Sequence, residues 1–94
     1  MNYAIFTLEG FKEFLEHTAE HYAGMNKGYN DGKYKGTWEK WDCITKYDDA
    51  VDGAISFIIW GTSASDDWEL FQDLKYKYRE KLEKMLADNQ ADVA

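Results

Sequence analysis

Residues 37–60, TWEKWDCITKYDDAVDGAISFIIW, decide the fold, because they fit either one long helix or a strand followed by a helix. An apolar seam of heptad-like spacing favours the long helix; it consists of Trp41, Ile44, Val51, Ile55 and Ile58. Residues 41–47 also alternate between two sets of side chains rich in strand formers, and Asp48 and Asp49 can cap a fresh helix. The sequence favours helix over 38–60. A break near residue 48 and a strand over 39–47 remain open alternatives.

The preceding segment combines an amphipathic pattern with a glycine-rich stretch. Thr7 is a good N-cap, and a stripe at three- and four-residue steps follows it, made of Leu8, Phe11, Leu15, Thr18 and Tyr22. Because Gly24 follows this stripe, the pattern predicts a helix over 8–24. Residues 24–36, GMNKGYNDGKYKG, predict a loop, or a hairpin that turns at Asn30–Gly32.

The last third of the chain predicts another helix. GTSAS at 61–65 is typical of a turn, and Ser65 can cap the segment after it. Core spacing then predicts a helix over 66–88, with the stripe Trp68, Phe71, Leu74, Tyr78, Leu82 and Met85. The tail ADNQADVA is expected to fray. The sequence therefore predicts a mainly α fold, a compact domain of three or four helices over residues 1–94. The alternative is an α+β fold with short strands at 2–6 and 39–47.

Length and composition indicate one globular domain. The chain has 94 residues, too few for two cores, and 17% of them are aromatic, which is far from a disordered composition. Its single cysteine, Cys43, rules out an intrachain disulfide. The longest apolar run, at 54–60, is too short for a membrane span, and the N-terminus has no basic leader. We therefore predict a cytoplasmic protein, in the host cytoplasm if a phage encodes it.

One stretch matches a catalytic pattern. EHTAEH at 16–21 places His17, Glu20 and His21 at the H-x-x-E-H spacing of the inverted zinc-peptidase motif. Two imidazoles four residues apart on a helix can reach one ion, but the sequence offers no obvious third ligand, and Glu20 lies opposite the core stripe. Histidines at the boundary of a core explain the motif, so we predict no metal. A small metal-dependent hydrolase built on His17 and His21 is the minor alternative.

Other catalytic templates are missing. Nothing near Cys43 in the sequence would activate its thiol, and no glycine-rich phosphate loop occurs. DDAVDG at 48–53 differs from a calcium loop, because Ala50 and Ile59 stand where oxygen ligands belong. We therefore predict a non-enzymatic protein without a cofactor.

The charge layout is the most informative feature. The net charge of −7 disfavours direct binding to nucleic acid or to an anionic membrane and favours a basic partner. Residues 48–73 contain no Lys or Arg and carry the acids Asp48, Asp49, Asp52, Asp66, Asp67, Glu69 and Asp73. Helix capping explains several of these acids. A negative surface that mimics nucleic acid also explains them, provided that no base from another segment folds over the carboxylates.

Aromatic residues give a second indication of binding. Tyr29 and Tyr34 lie in the glycine-rich stretch and Trp60 adjoins the acidic block, so these three are candidate anchors for a partner. Core-facing spacings instead favour a packing role for Tyr22, Trp41, Trp68 and Tyr78.

In size, acidity, aromatic content and lack of catalytic chemistry, the chain resembles the small inhibitors that phages and mobile elements encode. Anti-restriction proteins, anti-CRISPR proteins and bacterial immunity proteins share this profile, so the resemblance is one of class. It implies a monomeric or homodimeric protein that binds and inhibits a basic, nucleic-acid-handling protein through the seven acids and three aromatic residues named above. An oligomeric regulatory or structural domain is the alternative.

Overall fold

The computed structural model describes residues 7–61 and 68–93, with side chains at 7–58 and 68–89. These residues form three α-helices, α1 (Leu8–Asn30), α2 (Lys40–Gly61) and α3 (Trp68–Val93). Each helix contacts the other two. Phe11 near the start of α1 contacts Phe71 near the start of α3, and Asn89 near the end of α3 contacts Asn26 of α1, so α1 and α3 run parallel. Lys75 pairs with Asp52 and Arg79 with Asp48, so α2 runs antiparallel to both. The predicted mainly α fold is confirmed.

The ambiguous middle segment is helical. α2 runs from Lys40 to Gly61 without a break near residue 48, and the alternative strand over 39–47 is wrong. Cys43, Tyr47 and Val51 recur at four-residue steps and are fully buried, so the helical period and not the two-residue period sets which side chains face the core. The predicted strand at 2–6 and the predicted helix start at 66–67 lie outside the described residues.

α1 is longer than the sequence predicts. Its N-cap is Thr7, as expected, whose Oγ1 accepts a hydrogen bond from the Gly10 N–H. The helix continues past Gly24 to Asn30, so the predicted loop or hairpin over 24–36 is wrong for its first half. Gly32 ends the helix: it has a φ of 78°, its N–H donates to Tyr29, and the Lys33 N–H donates to Gly28. These two bonds form a Schellman C-cap, which needs glycine at the left-handed position.

The core is one cluster to which all three helices contribute. Its members are Phe11, Leu15, Ala19, Ala23, Cys43, Ile44, Tyr47, Val51, Ile55, Ile58, Phe71, Leu74, Leu82 and Leu86. Phe11 and Phe71 pack edge to face with ring centroids 5.0 Å apart, a favoured aromatic geometry. The core stripes predicted on α1 and α3 are buried or half-buried except at their first residues, Leu8 and Trp68, which are exposed.

A buried asparagine joins the helices at the far end of the bundle. The side-chain amide of Asn26 donates to the Trp38 carbonyl at 2.7 Å, and its Oδ1 accepts from Asn30 at 3.2 Å and from Asn89 at 3.1 Å. Asn89 also donates to the Ala23 carbonyl at 2.9 Å. These bonds tie the last turns of α3 to α1. α3 extends to Val93, five residues beyond the predicted end at residue 88.

No helix in the described ranges 7–61 and 68–93 is long and apolar enough to span a membrane.

Candidate interaction surface

The two histidines lie on the outside of the bundle. His17 and His21 are exposed on α1 and line a shallow groove with Tyr22 and Ala50. The His21 ring packs edge-on against Tyr22, with centroids 5.0 Å apart. Within the described part of the chain, no three His, Cys, Asp or Glu side chains come together as a metal site. The H-x-x-E-H spacing therefore places two imidazoles side by side but brings no further ligand to them.

Cys43 is buried among core side chains. Burial, reinforced by the adjacent Asp42 carboxylate, raises the pKa of its thiol to about 11. Because the thiolate is the reactive form, this cysteine is a packing residue at neutral pH and not a nucleophile.

We expect Cys43 to resist thiol reagents in the folded protein. Native protein at pH 8 should react with Ellman's reagent at least about 100-fold more slowly than protein unfolded in guanidinium, since both burial and the raised pKa suppress the thiolate. Rapid, complete labelling of the native protein would show that the thiol is accessible.

Bases from α3 fold over part of the predicted acidic surface. The Lys75 ammonium lies 2.8 Å from Asp52 and 3.9 Å from Asp48, and the Arg79 guanidinium lies 3.5 Å from Asp48. Lys75 is itself buried, and its carbonyl accepts a 2.8 Å hydrogen bond from the Tyr47 hydroxyl. The condition for nucleic-acid mimicry is therefore not met at Asp48 and Asp52. Their charges belong to an ion-pair cluster that joins α2 to α3.

Asp48 is incompletely hydrogen-bonded within this cluster. Burial raises the pKa of its carboxyl group above the ordinary value, in spite of Arg79 and Lys75 beside it. Its Oδ1 and the Arg79 Nε are both buried without a hydrogen-bond partner. A buried charge with incomplete hydrogen bonding depends strongly on its counter-ions.

Three other predicted acids point to solvent. Asp49, Glu69 and Asp73 are exposed, and none of them pairs with a base among the residues that the structure describes. Asp66 and Asp67 lie outside the described residues, as does the side chain of Trp60.

The tyrosines predicted as anchors pack against the protein itself. The Tyr29 ring lies 5.2 Å from Tyr34 and stacks on Trp38 at 5.4 Å. The Lys46 ammonium lies 5.0 Å from the Trp38 ring centroid, and the Lys33 ammonium lies 5.5 Å from the Tyr34 ring centroid. Gly28 makes room for this stack, because a Cβ there would lie 2.6 Å from the Tyr34 ring. The stack holds the α1–α2 connection in place. Of the two tyrosines, Tyr34 is the more exposed.

Three strongly exposed aromatic residues were not predicted to be anchors for a partner. Trp41 is 70% exposed, Tyr76 is 53% exposed and Trp68 is 51% exposed, although Trp41 and Trp68 have core-facing spacings. Trp41 lies seven residues before Asp48, and Trp68 lies seven before Lys75, so each shares a helical stripe with one side of the ion-pair cluster. Tyr76 adjoins the cluster directly, with the Lys75 ammonium 5.5 Å from its ring centroid.

These residues define one surface, the α2–α3 face. It comprises Trp41, Asp48 and Asp52 of α2 and Trp68, Lys75, Tyr76 and Arg79 of α3. At 1.5 Å per residue, Trp41 and Trp68 lie roughly 10 Å along the bundle on either side of the central charges. The face thus consists of three exposed aromatic rings around a nearly balanced set of acids and bases.

No family model matches the chain, and no curated protein or solved structure matches it significantly. A functional assignment therefore rests on the geometry described above.

Proposed function

We propose that this is a non-enzymatic interaction protein that binds and inhibits a basic, nucleic-acid-handling protein through the α2–α3 face. The observation that carries the proposal is the exposure of Trp41, Tyr76 and Trp68, which helical spacing assigns to the same helix pair's outer side. Large aromatic side chains left in water at this density mark interaction sites on soluble proteins.

The chemistry of the face suits a protein partner. Tryptophan, tyrosine and arginine are the residues that most often dominate binding energy, and they act where a partner can exclude water from them. The rings span roughly 20 Å, which suits an interface of standard size, about 800 Å² on each partner. The ion-pair cluster between them is prearranged by folding, so little side-chain entropy remains to be lost there on binding.

The remaining acids determine the class of partner. The protein carries a net charge of −7, and Glu69 and Asp73 are exposed on the first two turns of α3 beside the aromatic face. A surplus of negative charge speeds encounter with a basic protein and disfavours acidic ones. Carboxylates at the margin of the face can stand in for phosphates in a nucleic-acid-binding cleft. In this proposal Asp66 and Asp67 add to them, and the protein acts in the cytoplasm.

Self-association is the second candidate function, because the same exposed rings can cover one another in a homodimer. A protein that self-associates through the face changes its sedimentation coefficient between about 5 and 500 μM, whereas the proposed inhibitor sediments as one species. This measurement needs no partner.

The proposal is tested by replacing two anchors at once. Trp41→Ser/Tyr76→Ser removes both rings from solvent-exposed positions, so folding is expected to be retained. Phe57→Ser is the matched control: Phe57 is 58% exposed, but it lies nine residues after Asp48 and so half a turn around α2. Capture from source cells with quantitative mass spectrometry should recover a basic nucleic-acid-binding protein with the wild type and the control and lose it with the double variant. Equal recovery by all three proteins would show that the partner does not bind through the α2–α3 face.

A further inference from the structure

We infer that the cleft beside Trp41 is a binding site for a guanidinium group, which an arginine side chain of the basic partner supplies. The cleft opens between the end of α1 and the start of α2 and has a volume of about 660 Å³. Its apolar surface comes from Trp38, Trp41 and Ile44, and its rim includes Glu39 and Lys40. The inference rests on the proposed function because it names the group that the partner contributes.

Part of the cleft wall is held in place before any ligand arrives. Trp38 is fixed by stacking on Tyr29 and by the hydrogen bond from Asn26 to its carbonyl. The Glu39 backbone is fixed at the start of α2, where its carbonyl accepts the first helical bond from Cys43 and its N–H donates to the Asp42 carboxylate at 2.9 Å. These contacts resemble half of a capping box and set the helix start rigidly. Such preorganisation favours binding of a single side chain.

Cation contacts with aromatic rings recur in this protein. Lysine ammonium groups lie 5.0 Å from the Trp38 ring, 5.5 Å from the Tyr34 ring and 5.5 Å from the Tyr76 ring. Trp41 is more exposed than any of these rings, yet no cation or ring stacks on it among the described residues. Tryptophan is the best aromatic partner for a cation, and arginine is the cation that stacks most often.

The rim of the cleft supplies the counter-charge. Glu39 is exposed and forms no ion pair within the part of the chain that the structure describes. A planar guanidinium can lie on the Trp41 ring and present two N–H groups to the Glu39 carboxylate, which an ammonium cannot do with the same geometry. Lys40 also lines the cleft, and its charge opposes a cationic ligand. The two neighbouring residues should therefore have opposite effects on binding.

The test uses a purified probe and not the unidentified partner. The tripeptide acetyl-Gly-Arg-Gly-amide is titrated into ¹⁵N-labelled protein at fixed ionic strength, and the Trp41 indole N–H signal is followed by NMR. The matched control probe carries citrulline, which has the shape of arginine without its charge. We expect a dissociation constant in the millimolar range for arginine, and at least about fivefold weaker binding for citrulline, since both the stacking and the ion pair need the cation.

Single substitutions then identify the site. Glu39→Gln should weaken arginine binding about fivefold and Lys40→Gln should strengthen it about twofold. Trp41→Ala should remove it, as read from the indole N–H signal of Trp38, which lines the same cleft. If Glu39→Gln strengthened arginine binding and Lys40→Gln weakened it, Glu39 would not be the counter-charge, and unmoved indole signals would mean that the cleft does not bind arginine; both results overturn the inference. If the probe fails while Trp41→Ser/Tyr76→Ser still abolishes partner capture, the inference is wrong and the proposed function stands. If the probe binds as expected while Trp41→Ser/Tyr76→Ser still captures the partner, the cleft binds arginine and the proposed function is wrong.

Discussion

Replacing Asn26 with alanine is expected to lower the free energy of unfolding by about 3 kcal/mol. Asn26 is 1% exposed and hydrogen bonds to the Trp38 carbonyl, to Asn30 and to Asn89. Alanine removes the donor to the part-buried Trp38 carbonyl and the acceptor of the Asn30 and Asn89 amides, and it also creates a small cavity. Both effects destabilise the end of the bundle where Asn26 joins α1 to α3 and to the α1–α2 connection.

Urea unfolding followed by circular dichroism measures this loss. Asn30→Ala is the control, because Asn30 is exposed and contributes one 3.2 Å hydrogen bond to the same cluster; it should cost less than about 1 kcal/mol. If the two variants were equally stable, Asn26 would not be the residue that holds this end together.

Replacing Lys75 with methionine is expected to cost about 2–3 kcal/mol at pH 7. The Lys75 side chain is 8% exposed and serves two carboxylates. Methionine fills a similar volume but leaves the half-buried Asp48 with Arg79 as its counter-ion. Breaking a fully buried pair costs about 3–5 kcal/mol. Because Asp52 is half exposed and water screens it, we place the cost at or below the lower end of that range.

The loss should depend on pH with a definite sign. Burial already raises the pKa of Asp48 in the folded protein, and removal of Lys75 should raise it further. A carboxyl group with a raised folded pKa destabilises the fold as pH rises through that pKa, when the buried group must ionise. The deficit of Lys75→Met should therefore shrink between pH 7 and pH 4.

A double-mutant cycle separates this effect from packing. Adding Asp48→Asn to Lys75→Met should recover about 1 kcal/mol or more at pH 7, since position 48 then carries no charge and Arg79 keeps the Glu83 carboxylate 3.7 Å away. Lys77→Met, an exposed lysine on the same helix, should change stability by less than about 0.5 kcal/mol. A deficit that is independent of pH and unaffected by Asp48→Asn would show that the charge of Lys75 does not stabilise the helix pair.

Local sequence patterns predict the helices of this protein well, but they predict their ends poorly. The seam from Ile44 to Ile58 correctly favours a helix in the middle of the chain. Gly24 misleads because a glycine stops a helix only where the backbone turns left-handed, and that happens at Gly32. The continuation to Asn30 depends on Asn26, whose partners lie on other segments and are invisible to any local pattern.

The candidate site, like the helices, could be predicted only in part from local sequence patterns. Charge counting correctly finds an acidic block, but the sequence cannot show that Lys75 and Arg79, more than twenty residues from Asp48 and Asp52, fold onto two of its members. Periodicity also assigns Trp41 and Trp68 to the core. Both residues keep the helical spacing of buried positions, yet they lie near helix starts, and the structure leaves both of them exposed. That is why the strongest candidate anchors became apparent only in three dimensions.

The affinity of the captured partner, measured by isothermal titration calorimetry with purified proteins, tests the central claim most directly. Wild type is compared with Trp41→Ser/Tyr76→Ser and with Phe57→Ser in the same buffer. Each truncated anchor should cost about 2 kcal/mol or more, so the double variant should bind at least about 30-fold more weakly, while Phe57→Ser stays within about twofold of wild type. Equal dissociation constants for all three proteins would contradict the assignment of binding to the α2–α3 face.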